Sequence, residues 1–133
     1  TFQRFVPADL DLRVTIVGAE LFAASIESDA DHKTDYRAGL ASAKVRAYDL
    51  PDTVSESLLA LMRRLELQYG AIDLRVTPDG EHVFLEVNPA GEYLFISQRT
   101  EQPIPQAIAS RLELAAAGRM PSHERREPAV ASL

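Results

Sequence analysis

Alternating apolar and polar residues near the start of the chain predict β-structure. Residues 11–18 are rich in β-branched side chains, and residues 20–28 form a second strand-like stretch after a Gly18-Ala19 turn. Two such stretches around a two-residue turn predict an antiparallel hairpin. The polar stretch 29–39 predicts a loop, and residues 43–51 predict a short strand followed by a turn.

The pattern then changes to helical periodicity. The apolar residues that recur at this spacing are Leu58, Leu61, Met62, Leu65 and Leu67. They predict a helix over residues 52–69. Asp52 or Thr53 can serve as its N-cap, with Glu56 completing a capping box, and Gly70 is expected to end it.

A second pair of strands is predicted in the middle of the chain. Residues 71–77 and 82–88 flank the strong turn sequence Pro78-Asp79-Gly80. A second helix is predicted over residues 104–117. The second hairpin therefore lies between the two predicted helices.

The order of these elements predicts one α+β domain over residues 1–117, with a mainly antiparallel sheet and helices packed on one face. A length of 133 residues suits one domain with a moderate core. The remaining residues, 118–133, are polar and interrupted by proline, which predicts a flexible tail.

Composition and charge restrict the classes of function. The formal net charge of −6 argues against a phosphate-backbone footprint, so no nucleic-acid partner is expected. No apolar run approaches the ~20 residues that span a bilayer, so no membrane partner is expected. The absence of cysteine excludes disulfides and thiolate metal sites and is consistent with a cytoplasmic location.

The second hairpin carries the candidate chemistry. Asp73 interrupts aliphatic residues before the turn, and Glu86 and Asn88 share a strand face after it. Three oxygen-bearing side chains on adjacent strands suit a hard cation such as Mg²⁺. Taken alone, the spacing favours a half-exposed strand whose polar face meets water, because such alternation is common in antiparallel sheets.

A longer pattern favours the metal site. The segments DLRVTIVGAELFAASI, LELQYGAIDLRVTPDGEHVFLEVNPAGEYLFI and TEQPIPQAIASRL occur in an order that resembles the C-terminal part of an ATP-grasp ligase. The pattern is most similar to the graspetide (microviridin-type) ligases that modify ribosomal peptides, with the RimK-like ligases as relatives. The resemblance extends over about residues 1–113, and GAIDL followed by FLEVNPAG is its most specific part.

The resemblance implies ATP and Mg²⁺ as cofactors and assigns a role to several residues. Asp73, Glu86 and Asn88 match magnesium ligands that bridge the metal to the ATP phosphates. Arg13 matches an arginine that faces the phosphates and the acyl-phosphate intermediate. Arg37 lies in a segment that resembles a loop facing the acceptor carboxylate or the phosphoryl group.

The resemblance also implies a nucleoside site near the start of the chain. Asp11 matches an acidic residue near the ribose. Gln3, Phe5 and Val6 lie in a linker whose backbone hydrogen-bonds the adenine. Arg4 stands where an acidic residue is common in the family.

The implied partners are ATP and a ribosomal precursor peptide with a leader and a core; a homodimer is also expected. Activated side-chain carboxylates would close ester or amide rings. The alternatives are a RimK-like ligase that adds an amino acid to a protein or small acid, and a non-catalytic module with the same fold. Because only Lys33 and Lys44 are present, the phosphate-binding lysines are expected upstream, and these 133 residues alone are expected to be inactive.

Overall fold

The computed structural model describes residues 5–27 and 43–118. Over this part the chain forms a five-stranded antiparallel sheet in the order β3-β2-β1-β4-β5, together with three helices. The strands are β1 (Leu10–Val17), β2 (Glu20–Glu27), β3 (Lys44–Ala47), β4 (Tyr69–Val76) and β5 (His82–Asn88). The helices are α1 (Asp52–Arg64), α2 (Leu94–Thr100) and α3 (Ile104–Ala116). The predicted loop 29–39 and almost all of the predicted tail lie outside the described residues.

Strand β1 is the centre of the sheet, with β2 and β3 on one side and β4 and β5 on the other. Its hairpin with β2 closes at Gly18, whose φ of 62° is the left-handed conformation that glycine adopts without strain. On the other side β1 pairs with β4 from Leu10 opposite Val76 to Val17 opposite Tyr69. Both predicted hairpins are confirmed, and β1–β4 pairing places them side by side.

The sheet is covered by helices on both faces. Leu12, Val14 and Ile16 of β1 pack with buried Leu58 and Met62 of α1. Residues of the opposite face pack with α2 and α3, in a cluster that includes Phe22, Ala24, Ile26, Ile96 and Ile104. The α+β class and the antiparallel sheet are confirmed. The finer expectation of helices on one face is wrong, because β2 carries apolar residues on both faces, with Phe22, Ala24 and Ile26 on one and Ala23 on the other, and each face needs a cover.

Helix α1 begins where predicted but ends five residues early. Pro51 is its N-cap and no side chain caps it, so the predicted capping box is absent. The helix ends at Arg64 because Glu66 adopts a left-handed φ of 55° and turns the chain towards β4. Gly70, predicted as the helix stop, lies inside β4, where a Cβ would be 2.9 Å from Met62 Cε.

Helix α2 has no counterpart in the sequence prediction. It is only seven residues long, and its N-cap, Tyr93, makes no side-chain capping bond, so the usual start signal is missing. Buried Ile96 holds it against the sheet, and Glu101 ends it with a left-handed φ of 59°. None of the helices in the described residues is long and apolar enough to cross a membrane.

Candidate active site on the sheet

The strand register brings Arg13, Asp73 and Glu86 into one row across β1, β4 and β5 and places Asn88 in the next row. Arg13 is opposite Asp73, and Asp73 is opposite Glu86. Asn88 is opposite Ala71, two residues along the same face. Directly opposed side chains in an antiparallel pair have Cβ atoms about 5 Å apart. The four predicted residues therefore lie on one face of the sheet, which is the face covered by α2 and α3.

Arg13 and Asp73 form a buried, two-pronged ion pair at the centre of this row. Arg13 Nε donates to Asp73 Oδ1 at 2.6 Å, and Nη2 donates to Oδ2 at 3.3 Å. The two residues are 8% and 4% exposed. A carboxylate this deeply buried requires a charged partner, and the planar fork of arginine supplies one. Arg13 Nη1 also donates to the carbonyl of Glu92 at 3.3 Å.

Glu86 and Asn88 lie on the outer strand of the sheet and are exposed. Asn88 Oδ1 accepts a hydrogen bond from the N–H of Ala90 at 2.9 Å, which bends the chain directly after β5. The row thus runs from a buried cation–carboxylate pair to an exposed carboxylate and amide. A ligand would approach from the exposed β5 side.

The chain after β5 folds back over the sheet. Gly91 is required by close packing, because a Cβ there would be 2.3 Å from the Cβ of Ala71. The hydroxyl of Tyr69 donates to the carbonyl of Gly91. Burial raises the pKa of the Tyr69 phenol above its ordinary value of 10.0, while nearby Arg13 lowers it. Residues 89–93 therefore form a fixed wall beside Arg13.

The donor set fits a hard cation that also binds phosphate. Two carboxylates and one amide oxygen are ligands that Mg²⁺ accepts, and Mg²⁺ usually completes its shell with water and substrate phosphates. Within residues 5–27 and 43–118, no group of three or more His, Asp or Glu side chains is placed to hold a metal alone. That Asp73, Glu86 and Asn88 are metal ligands therefore stays a prediction.

A cleft at the N-terminal end of β1, here called the N-terminal cleft, contains Phe5 and Asp11, two of the residues predicted to contact the nucleoside. Its volume is about 460 Å³. It is lined by Phe5, Pro7, Ala8, Asp9, Leu10, Asp11, Ile26, Glu27 and Arg75. Val6 is adjacent and half-buried, whereas Gln3 and Arg37 lie outside the described residues.

Arg75 was not singled out in the sequence. Its Nε donates to Asp11 Oδ1 at 2.8 Å, and its Nη1 donates to the carbonyl of Val6 at 2.9 Å. One feature of the sequence could have identified Arg75 as a site residue: it is two residues after Asp73 and so lies on the same strand face. Its partner Asp11 is opposite it in the β1–β4 register, which the sequence does not specify.

Solved structures resemble this chain over most of its length. The macrocyclase MdnC from Microcystis aeruginosa, bound with the precursor peptide MdnA, is 41% identical with a TM-score of 0.69, over 81% of this chain and 31% of that chain. An ATP-grasp ligase from Chryseobacterium gregarium, described as RiPP-associated and in complex with ADP and a leader and core peptide, is 30% identical with a TM-score of 0.80. That match covers 95% of this chain and 38% of the ligase.

A more distant structure shares the fold. The ATP-grasp ligase PsnB, complexed with a variant of its minimal precursor, Mg and ADP, is 20% identical with a TM-score of 0.65, over 84% of this chain and 34% of that chain. This chain therefore spans about a third of the length of the ligases that it matches. No protein-family model matches the chain, and a search of curated proteins finds no match. The predicted resemblance to graspetide-type ATP-grasp ligases is confirmed by these structures.

Proposed function

We propose that this chain, which has the fold and the sequence likeness of RiPP-associated ATP-grasp ligases, forms one wall of the active site of an ATP-dependent ligase. The proposed substrate is a ribosomal precursor peptide with acidic side chains. MdnC was solved with a precursor peptide bound and the Chryseobacterium ligase with a leader and core peptide, which supports a peptide over a small-molecule acid.

The proposed reaction has two steps. A side-chain carboxylate oxygen of the peptide attacks the γ-phosphorus of ATP, and the bond to the β-phosphate oxygen breaks to release ADP. A hydroxyl or amine of the same peptide then attacks the acyl carbon, loses its proton to solvent, and displaces inorganic phosphate. The product is an ester or amide ring. Such transfers depend mainly on positioning and on neutralisation of charge.

Arg13 is the residue of this chain best placed to neutralise charge. Its guanidinium is held by Asp73 on one side and by the Glu92 carbonyl on the other, so its position is fixed before substrate binds. A fixed guanidinium can grip a phosphoryl group or an acyl phosphate through two hydrogen bonds. Arg37 is proposed for the acceptor side on resemblance alone.

Asp73, Glu86 and Asn88 are proposed to hold Mg²⁺, which when bound neutralises the phosphates of ATP. The opposition of Asp73 and Glu86 across β4 and β5 is the single observation that carries this assignment. Exposed Glu86 and Asn88 are accessible to a metal–nucleotide complex, whereas Asp73 is shared with Arg13.

The N-terminal cleft is proposed to receive the nucleoside. Its volume of about 460 Å³ is adequate for an adenosine group, and it opens on the same sheet face as Arg13. Asp11 supplies a carboxylate for ribose hydroxyls. Gln3, Phe5 and Val6 are proposed to border the adenine. A cytoplasmic location and a homodimer are also proposed.

The test uses acidic precursor peptides that are encoded near the gene. Each peptide is incubated with the full-length protein, ATP and Mg²⁺, and its mass is then measured. Ring closure removes one water per ring, whereas addition of an amino acid increases the mass, so the two ligase classes give opposite results. Asp73→Asn and Glu86→Gln should abolish the change, while Glu81→Gln, at an exposed position directly before β5, should preserve it. An unaltered peptide with every variant and with wild type would contradict a ligase of this class.

A further inference from the structure

The guanidinium of Arg75 joins three separate parts of the N-terminal cleft. It bonds the Asp11 carboxylate on β1 at 2.8 Å and the Val6 carbonyl of the preceding segment at 2.9 Å. It also lies 5.6 Å from the centre of the Phe5 ring, within the range of a cation–π contact. One side chain of β4 thus connects the strand, the backbone before it and an aromatic ring.

Arg75 is almost fully buried, which distinguishes this contact from an ordinary surface ion pair. The residue is 8% exposed, and the side chains of the Arg75–Asp11 pair are 10% and 13% exposed. Phe5, in contrast, is 61% exposed, so its ring stands at the rim of the cleft with the guanidinium behind it. Charge-assisted hydrogen bonds in a poorly solvated setting are stronger than those at a surface.

Two hydrogen bonds attach the segment before β1 to the sheet. The N–H of Asp9 bonds the carbonyl of Val76 at 3.0 Å, which fixes the segment next to the sheet. Three residues earlier, the bond from Arg75 to the Val6 carbonyl fixes its course again. Pro7, between them, has no N–H to donate. The backbone path of the segment before β1 therefore depends on Arg75.

We propose that Arg75 is a positioning residue that shapes the N-terminal cleft and thereby sets the affinity for the nucleoside part of the nucleotide. The proposal rests on the proposed function, because it takes the cleft as the nucleoside site. Arg75 acts through Asp11, Val6 and Phe5: it orients the Asp11 carboxylate, holds the Val6 carbonyl and lies against the Phe5 ring. The phosphate end, at Arg13 and Glu86, does not depend on it.

The experiment compares two ligands that both carry a diphosphate group, of which only one, ADP, carries a nucleoside. The full-length protein and its variants are titrated calorimetrically with ADP and with pyrophosphate, both in excess Mg²⁺. Arg75→Met should weaken ADP binding by at least about tenfold, since it removes two charge-assisted hydrogen bonds, and should leave pyrophosphate binding unchanged. Arg75→Lys keeps the positive charge but lacks the planar guanidinium, so its ADP affinity should lie between those of wild type and Arg75→Met.

A matched control is Arg111→Met. Arg111 donates to Gln68 Oε1 at 2.7 Å near the opposite end of β1, so its removal tests a structural arginine away from the cleft. It should alter neither affinity. The proposal is overturned if Arg75→Met weakens both probes equally or neither of them. A wild-type protein that binds neither probe overturns the proposed function as well, so the two failures are distinguishable.

Discussion

At the residue scale, the site depends on contacts between residues that are far apart in the chain. The alternation around Asp73 predicts that it shares a face with Arg75, and the spacing of Glu86 and Asn88 predicts a shared face for them. The ion pair between Asp73 and Arg13, 60 residues apart, could not be predicted from spacing because it depends on the pairing of β1 with β4. The sequence thus reveals which residues are unusual, but not which of them are partners.

Breaking the Arg13–Asp73 pair should destabilise the protein more than removing both charges. Arg13→Met and Asp73→Leu should each lower the free energy of unfolding by about 3 kcal/mol, because each leaves a buried charge without this partner. The double variant should lose clearly less than the sum of the two. Urea unfolding of the four proteins measures the coupling, and strict additivity would show that the pair does not interact.

The raised pKa of Tyr69 gives a pH dependence with a defined sign. The folded state holds the phenolic proton more tightly than the unfolded state does. The contribution of Tyr69 to the free energy of unfolding is therefore complete below about pH 10 and is lost as pH rises through the folded-state pKa. Between about pH 9 and pH 11, wild type should lose more unfolding free energy than Tyr69→Phe does. An identical loss in both proteins would mean that the Tyr69 proton is not linked to folding.

At the element scale, strands were predicted better than helix ends. Alternation and turn residues locate β1, β2, β4 and β5 to within a residue or two. The end of α1 could not be predicted, because the left-handed turn at Glu66 is imposed by the entry of β4 into the sheet and not by local preference. Helix α2 is held by the burial of Ile96, and its seven residues carry no start signal.

The connection from β5 to α2 should be sensitive to one methyl group. Gly91→Ala would place a Cβ 2.3 Å from that of Ala71, so the connection must shift, with a cost of about 1–3 kcal/mol. The shift would also move the Glu92 carbonyl that holds Arg13. Thermal unfolding should therefore show a lower Tm for Gly91→Ala, and Ala71→Gly in the same protein should recover part of the loss. A Tm equal to that of wild type would contradict the packing.

At the scale of the whole molecule, one face of the sheet carries two neighbouring candidate regions. Arg13, Asp73, Glu86 and Asn88 form the region proposed for metal and phosphate, and the N-terminal cleft lies towards Asp11, one row further along the same face. The α+β class and the family resemblance were predictable because the order of motifs survives in the sequence. The distribution of helices over both faces of the sheet was not predictable, because apolar residues on two faces of a strand do not specify which helix covers which face.

The most direct test of the magnesium assignment is the effect of Mg²⁺ on ADP binding by the full-length protein. Wild type and Glu81→Gln should bind ADP at least about tenfold more tightly with Mg²⁺ than without it. Glu86→Gln, which removes a carboxylate charge while keeping the side-chain shape, should lose most of this difference and bind ADP alone as wild type does. ADP binding by Glu86→Gln with the full Mg²⁺ dependence of wild type would contradict the assignment.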